Sequence, residues 1–356
     1  MKQLRNIRQS KATVVTFGFS MPLLVGLLFM LRTKDTDTDL VYDNNTQIVP
    51  SINNGRMAAQ LRKGHLTTND YVRDIVMHPA FQGFGELLLP WDDNSRYYDT
   101  RLEDVGSLMP YHNHVNPDVV VDALNRMIDD VDSGKRVFYD FYTDQQKQSD
   151  QAKNKTGLFF YRGKLGAPFA IVCPGGGFSY VGSLHEGFPL AWEISKKGLN
   201  AFVIRYRVGE QQATEDLAAA IGYIIKNAQP LGVSTSGYSL WGGSAGARMV
   251  GNIALNGVAA YGGGKLPQPA TAVIAYTGQS SYSPHFPPTF ITVSANDGIA
   301  NVFTVDRRVQ NLKNAGVDVD YRRYNQAGHG FGLGIGTDAA GWIQYAIQFW
   351  EKHLPN

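Results

Sequence analysis

A serine fenced by glycines is the feature of this sequence with the most chemical content. Residues 240 to 246 read Leu-Trp-Gly-Gly-Ser-Ala-Gly, so Gly242, Ser244 and Gly246 fit the spacing GxSxG. Tyr238 to Trp241 lean apolar as a short strand does, and Ala245, Met249, Val250, Ile253, Ala254 and Leu255 line up as one apolar helical face behind the serine. A serine at the tip of such a strand-to-helix turn needs neighbours without bulk, because strand end and helix start approach closely there. The chemistry this favours is nucleophilic attack by the Ser244 hydroxyl, against the plainer reading of a glycine-rich turn with a surface serine.

Serine is a poor nucleophile unless a base takes its proton and a third group orients that base. His329 sits in Gln-Ala-Gly-His-Gly-Phe-Gly, where flanking glycines would let a loop bring the imidazole over Ser244. His285 precedes a proline-rich turn and His353 closes the terminal helix, so both fit worse. Asp297, in Ser-Ala-Asn-Asp-Gly just past a predicted strand, is the expected acid; its other reading is a turn or helix cap before Ile299. Asp306 falls inside the next helix, and Asp318 and Asp320 fall at the wrong end of the last strand. His112 and His114 lack any neighbouring Cys, Asp or Glu at metal-ligand spacing and are expected at the surface, with no metal or cofactor.

An ester carbonyl attacked by serine becomes an oxyanion that must meet donors already aimed at it. The run Pro174-Gly175-Gly176-Gly177-Phe178 follows a predicted strand and would turn its amides toward Ser244, with the amide of Ala245 as a further donor at the helix start. No GxxxxGK[ST] or GxGxxG spacing supports the rival reading of a phosphate loop. Phe178, His185 and Glu186 are candidates to line a pocket, Phe188 with them. For His185 and Glu186 the favoured alternative is the start of the next helix, with Glu186 as a first-turn carboxylate.

These groups need a frame, and the pattern after residue 155 supplies one. Short apolar runs are predicted as strands at 157–162, 168–173, 201–206, 238–241, 272–276, 289–294 and 317–324. They alternate with predicted helices at about 186–197, 212–228, 245–256, 301–315 and 338–353. The expectation is an α/β fold, a mostly parallel twisted sheet with helices on both faces, whose ligands bind at the carboxyl ends of the strands. Ser244, Asp297, His329 and the glycine run all fall there.

From about residue 155 onward the chain resembles α/β-hydrolase esterases of the hormone-sensitive-lipase-like and carbohydrate acetyl or feruloyl esterase groups. Pro174 to Phe178 is similar to their HGGG loop, Arg205-Tyr206-Arg207 to the strand end that follows, Gly242 to Gly246 to their nucleophile turn, and Asn296-Asp297-Gly298 and Gly328-His329-Gly330 to their acid and base loops. Pro174 departs from HGGG, removing a histidine that would brace the loop. The resemblance implies the α/β-hydrolase fold, Ser244 as nucleophile, His329 as base, Asp297 as its orienter, and the amides of Gly176, Gly177 and Ala245 as oxyanion hole. It implies hydrolysis of short acyl esters, acetyl above all, including those carried by sugars or glycans. A serine peptidase of the same fold and a catalytically silent surface protein are the alternatives. The short interval between Ser244 and Asp297 leaves little room for an inserted cap.

The rest of the 356-residue chain bounds the setting. Hydrophobic residues at 43% and charged residues at 18% make a globular composition. Lys2, Arg5, Arg8 and Lys11 precede an uncharged stretch from Ala12 to Leu31, followed by Arg32 and Lys34. At about 1.5 Å per residue that stretch reaches about 30 Å, the thickness of a bilayer core. Residues 1–34 are therefore expected to be an uncleaved signal anchor holding an extracytoplasmic body, the alternative being secretion after cleavage near residue 35. Residues 35–55 read as a polar spacer, 56–150 as a mainly helical accessory segment near the active-site mouth, and 151–356 as the catalytic domain. With its basic leader set aside, a chain of net charge +2 becomes net acidic, which argues against a nucleic-acid partner. Cys173 is the single cysteine and lies in an apolar strand, so no intramolecular disulfide can form and a reactive thiol is not expected. Arg207 and Arg248 are expected in structural ion pairs.

Overall fold

The computed structural model describes residues 64–355. The predicted anchor at 1–34 and spacer at 35–55 lie outside them; among the described residues no helix is long and apolar enough to cross a membrane. In chain order the elements are α1 (Val72–Val76), α2 (Pro117–Asp132), β1 (Phe138–Tyr139), α3 (Asp144–Ser149), β2 (Gly157–Tyr161), β3 (Pro168–Cys173), α4 (Phe188–Lys196), β4 (Asn200–Arg205), α5 (Glu210–Lys226), α6 (Ala228–Leu231), β5 (Ser234–Gly243), α7 (Ala245–Asn256), β6 (Thr271–Ala275), β7 (Thr289–Ser294), α8 (Val302–Asn314), β8 (Val319–Tyr324) and α9 (Trp342–Lys352), with short 3-10 turns between them.

The strands form one sheet in the order β1-β2-β4-β3-β5-β6-β7-β8. β2 runs antiparallel to both β1 and β4, and every pairing from β4 across to β8 is parallel. β2 through β4, β6 and β7 are almost wholly buried, as continuous apolar runs covered on both faces should be. Right-handed crossovers then dictate the layers. The step from β3 back to β4 carries α4 to one face, while the steps from β4 to β5 and from β5 to β6 run the other way and carry α5 and α7 to the opposite face. α4 accordingly touches α2 and α9, and α5 packs on α7.

Most boundaries fall within two residues of the predicted ones. β5 begins earlier, at Ser234 rather than Tyr238, because its first residues are a polar, partly exposed extension joined through a register shift opposite Pro168 and Ala170. The flank before residue 150 is built into the body. Phe138 and Tyr139 pair with Phe159 and Leu158 as an edge strand, and Val72, Leu88, Leu108, Leu124 and Ile128 share one core with Phe159, Phe188 and Trp350.

Candidate active site

Ser244 stands alone between the last residue of β5 and the first of α7, at φ 50° and ψ −111°. A non-glycine residue there carries strain on the order of 1–3 kcal/mol, and the surroundings enforce it. The Ser244 amide donates to the Ala275 carbonyl at 3.0 Å. A methyl on Gly246 would run into the Cys173 carbonyl, and one on Gly242 would meet the Gly246 backbone. The GxSxG spacing is thus a packing requirement of two strands and a helix meeting at one point.

The loops after β7 and β8 bring the other two groups to it. His329 Nε2 lies 2.9 Å from Ser244 Oγ, and His329 Nδ1 lies 2.9 and 2.8 Å from Asp297 Oδ1 and Oδ2. The side chains of both Asp297 and His329 are sealed from solvent. Asp297 also takes the turn role set out as its alternative, since Oδ1 accepts the amides of Ile299 at 2.8 Å and Ala300 at 2.7 Å. The two readings are compatible because a carboxylate has lone pairs for both. The base loop is laced to the acid loop by Ala327 N donating to Ser294 Oγ at 2.9 Å and Gly328 N donating to Asn296 Oδ1 at 2.8 Å. The Tyr276 ring stands edge-on to His329 at 5.4 Å.

Opposite the imidazole, Pro174 to Phe178 turn beside the serine, with Gly175 close enough that a Cβ there would lie 3.0 Å from Ser244 Cβ. The Gly175 amide is already engaged, donating to Glu186 Oε2 at 2.6 Å. Among the described residues nothing accepts the amides of Gly176 and Gly177, and the Ala245 amide heads α7. Phe178 is half-buried beside them at φ 56°, its ring edge-on to Tyr206. Tyr206 supports the loop from below by donating to the Pro174 carbonyl at 2.6 Å.

For His185 and Glu186 the favoured alternative, the start of the next helix, is close to what forms. His185 and Glu186 are buried in a π-helical turn, Ser183–Gly187, that precedes α4. Glu186 points inward under the glycine loop, and His185 Nε2 donates to the Gly330 carbonyl at 3.0 Å. A carboxylate and an imidazole pressed against two backbone loops serve as their supports, and His185 also borders a small cavity with His114, Asn116, Val120, Leu333 and Ile335. Glu186 takes over the bracing that Pro174 cannot supply. His112, expected at the surface, is corrected. It is buried, with Nε2 3.2 Å from Glu186 Oε1, a direct electrostatic contact not aligned as a full hydrogen bond, and Nδ1 2.9 Å from the Tyr180 hydroxyl. His114 is exposed, as expected.

Burial by itself would raise the Glu186 pKa, but the neighbouring His112 and His185 and the Gly175 amide outweigh it and hold the carboxyl at about 2. Burial, helped by His112, lowers His185 to about 4. The site therefore carries a fixed buried anion beneath the glycine loop. Burial pushes the Cys173 thiol far up, in keeping with an inert thiol.

Arg207 and Arg248 are ion-paired as expected. Arg207 grips the buried Asp216 and also Asp150, each at 2.7 Å, and Arg248 reaches Glu210 at 2.9 Å. Arg205 turns into the flank, donating to the Leu89 and Pro90 carbonyls and to Asp92. Tyr111, His112, Asn113, Tyr180 and Tyr276 contact the site and carry no motif. The one available signal was His112 itself, which its polar neighbours made look exposed.

No family model matches the chain. Among curated proteins it is similar to endo-1,4-beta-xylanase B of Butyrivibrio fibrisolvens, 33% identical over 93 residues; the match spans 24% of this chain and 14% of that protein. Among solved structures it is similar to an acetyl ester-xyloside bifunctional hydrolase from Caldicellulosiruptor lactoaceticus, with a TM-score of 0.53 and 19% identity over 60% of this chain and 95% of that one. An α/β hydrolase from a Medee basin deep-sea metagenome library gives a TM-score of 0.48 and 22% identity over 55% of this chain and 92% of the other. The frame around Ser244 has the α/β-hydrolase fold.

Proposed function

We propose that this protein is a serine carboxylesterase acting through an acyl-enzyme. The observation that carries the reading is the succession Ser244 Oγ, His329 Nε2 at 2.9 Å, and Asp297 at 2.8 Å from the far ring nitrogen. In the neutral imidazole with its proton on Nδ1, donated to Asp297, Nε2 is free to take the Ser244 proton. Oγ attacks the ester carbonyl carbon, and the carbonyl oxygen becomes an oxyanion facing the amides of Gly176, Gly177 and Ala245. Collapse breaks the bond to the alcohol oxygen, which leaves with the proton held on His329. Water then repeats the sequence: His329 takes its proton, hydroxide adds to the acyl carbon, and the carboxylic acid departs as Ser244 is reprotonated.

In this reading the acyl group is short, acetyl above all, and the alcohol is carbohydrate-borne. The resemblance to carbohydrate acetyl and feruloyl esterases supports that class, and the local match to a protein named as a xylanase is in keeping with it. The leader at 1–34 would tether the enzyme to a membrane with its body outside the cytoplasm, which protease accessibility in intact cells would test. For the chemistry, Ser244→Ala should abolish turnover of p-nitrophenyl acetate, and a fluorophosphonate should label the wild type at Ser244 alone. Retained turnover in Ser244→Ala would remove the mechanism.

A further inference from the structure

Between the glycine loop and the base loop runs a three-residue segment from neither, Tyr111-His112-Asn113, delivered by the flank just before α2. We infer that this segment is a positioning strap that fixes the spacing between the oxyanion-binding amides and His329. The inference rests on the proposed esterase mechanism and assigns a role to residues outside every motif of that mechanism.

Each residue of the strap is committed to one side or to both. Tyr111 donates its amide to the Tyr180 hydroxyl at 3.0 Å, stacks its ring on Tyr180 at 5.6 Å, and lies over Gly177, where a Cβ would come within 2.9 Å of the tyrosine ring. His112 connects Tyr180 to Glu186, and Glu186 holds the Gly175 amide. These contacts form one continuous chain, from the Tyr111 amide through the Tyr180 hydroxyl to His112, whose Nε2 faces the carboxylate that accepts from Gly175. Asn113 faces the other way. Its amide donates to the Gly330 carbonyl at 3.2 Å, and its Nδ2 donates to the His329 carbonyl at 2.9 Å. His185 donates to that same Gly330 carbonyl, so the segment and the π-helical turn hold the base loop from two directions.

The chemistry is sensitive to this spacing. Amide donors must lie about 3 Å from where the oxyanion forms while the imidazole stays within reach of the serine, and misplacement by about 1 Å can lower a rate about 100-fold. Together with the π-helical turn that carries Glu186 and His185, the strap lets the two halves constrain each other without passing through Ser244.

The test uses the full chain with p-nitrophenyl acetate, after Ser244→Ala has been shown inactive. His112→Ala and Asn113→Ala are each expected to lower kcat by between about 10- and 100-fold, with KM changed by less than about twofold. His112→Gln retains a donor toward Glu186 and should recover most of the loss. The double variant should lose less than the product of the single effects, because one segment carries both. Asn113 is exposed, so its variant carries the kcat measurement if His112→Ala does not fold. A kcat within twofold of wild type in Asn113→Ala, or equal activities in His112→Gln and a folded His112→Ala, would overturn the strap while leaving the esterase reading standing. Activity in Ser244→Ala would end both.

Discussion

Replacing Asp297 by Asn asks whether the carboxylate sets the tautomer of His329, and the structure fixes the outcome closely. Oδ1 accepts the backbone amides of Ile299 at 2.8 Å and Ala300 at 2.7 Å. An asparagine must therefore keep its carbonyl oxygen at that position, since a flipped side chain would set an NH2 group against two N–H donors. The NH2 group then occupies the place of Oδ2, 2.8 Å from His329 Nδ1, while the retained oxygen, 2.9 Å from the same nitrogen, is already engaged by two amides. A donor there drives the imidazole proton to Nε2, which can no longer accept from Ser244. In an equivalent serine–histidine–carboxylate array this exchange lowers kcat about 10⁴-fold, or about 5 kcal/mol of transition-state stabilisation. The turn is preserved, so thermal unfolding should move by only a few degrees. Asp297→Ala would in addition leave the Ile299 and Ala300 amides without their acceptor, at roughly 1–2 kcal/mol. The assay is steady-state hydrolysis of p-nitrophenyl acetate beside a thermal melt. A folded Asp297→Asn enzyme with kcat within about tenfold of wild type would refute the argument.

Stability should fall on acidification in two stages, because the buried His185, at about 4 against an ordinary 6.5, and Glu186, at about 2 against 4.5, both bind more protons unfolded than folded. The His185 contribution is present above 6.5 and lost toward 4, and the Glu186 contribution is present above 4.5 and lost toward 2; melting temperatures measured from pH 8 to 3 should track this. A flat profile between pH 7 and 4.5 would contradict it. Gly246→Ala forces a methyl into the Cys173 carbonyl and should cost about 3 kcal/mol or more with loss of activity; a stable, active variant would show that the turn can relax. Arg207→Met strands the buried Asp216 and should cost about 3–5 kcal/mol in urea unfolding. The exposed pair lost in Arg248→Ala should cost under about 1 kcal/mol, and equal effects would negate the distinction.

The groups brought to Ser244 were legible because their local signals are strong. Glycine on both sides of Ser244 and of His329, and a carboxylate one turn past a buried strand, say where a side chain must emerge whatever surrounds it. The sheet was legible for the same reason, since buried parallel strands such as β3 and β7 are short apolar runs with sharp ends. The supports were not legible. Glu186 reads locally as the start of a helix, and only the approach of Gly175, far away in the chain's path, turns it into a brace. His112 sits among Tyr, Asn and His, a polar neighbourhood that implies exposure, and its burial is decided by Tyr180 and Glu186 arriving from another element. β1 escaped notice because two residues carry no periodicity; its pairing is a property of β2.

The way the flank is woven into the sheet limits how the molecule can be shortened. Cutting at residue 150, where the recognisable motifs begin to crowd, would strip β1 from β2 and bare the outer edge of β2, including the Phe160 amide that donates to the Val137 carbonyl. It would also take away the Leu89 and Pro90 carbonyls and the Asp92 carboxylate that hold the otherwise buried Arg205 guanidinium. Such a fragment would hold every motif residue yet offer an unprotected rim to other copies of itself, so its expected fate is edge-to-edge association into inactive aggregates.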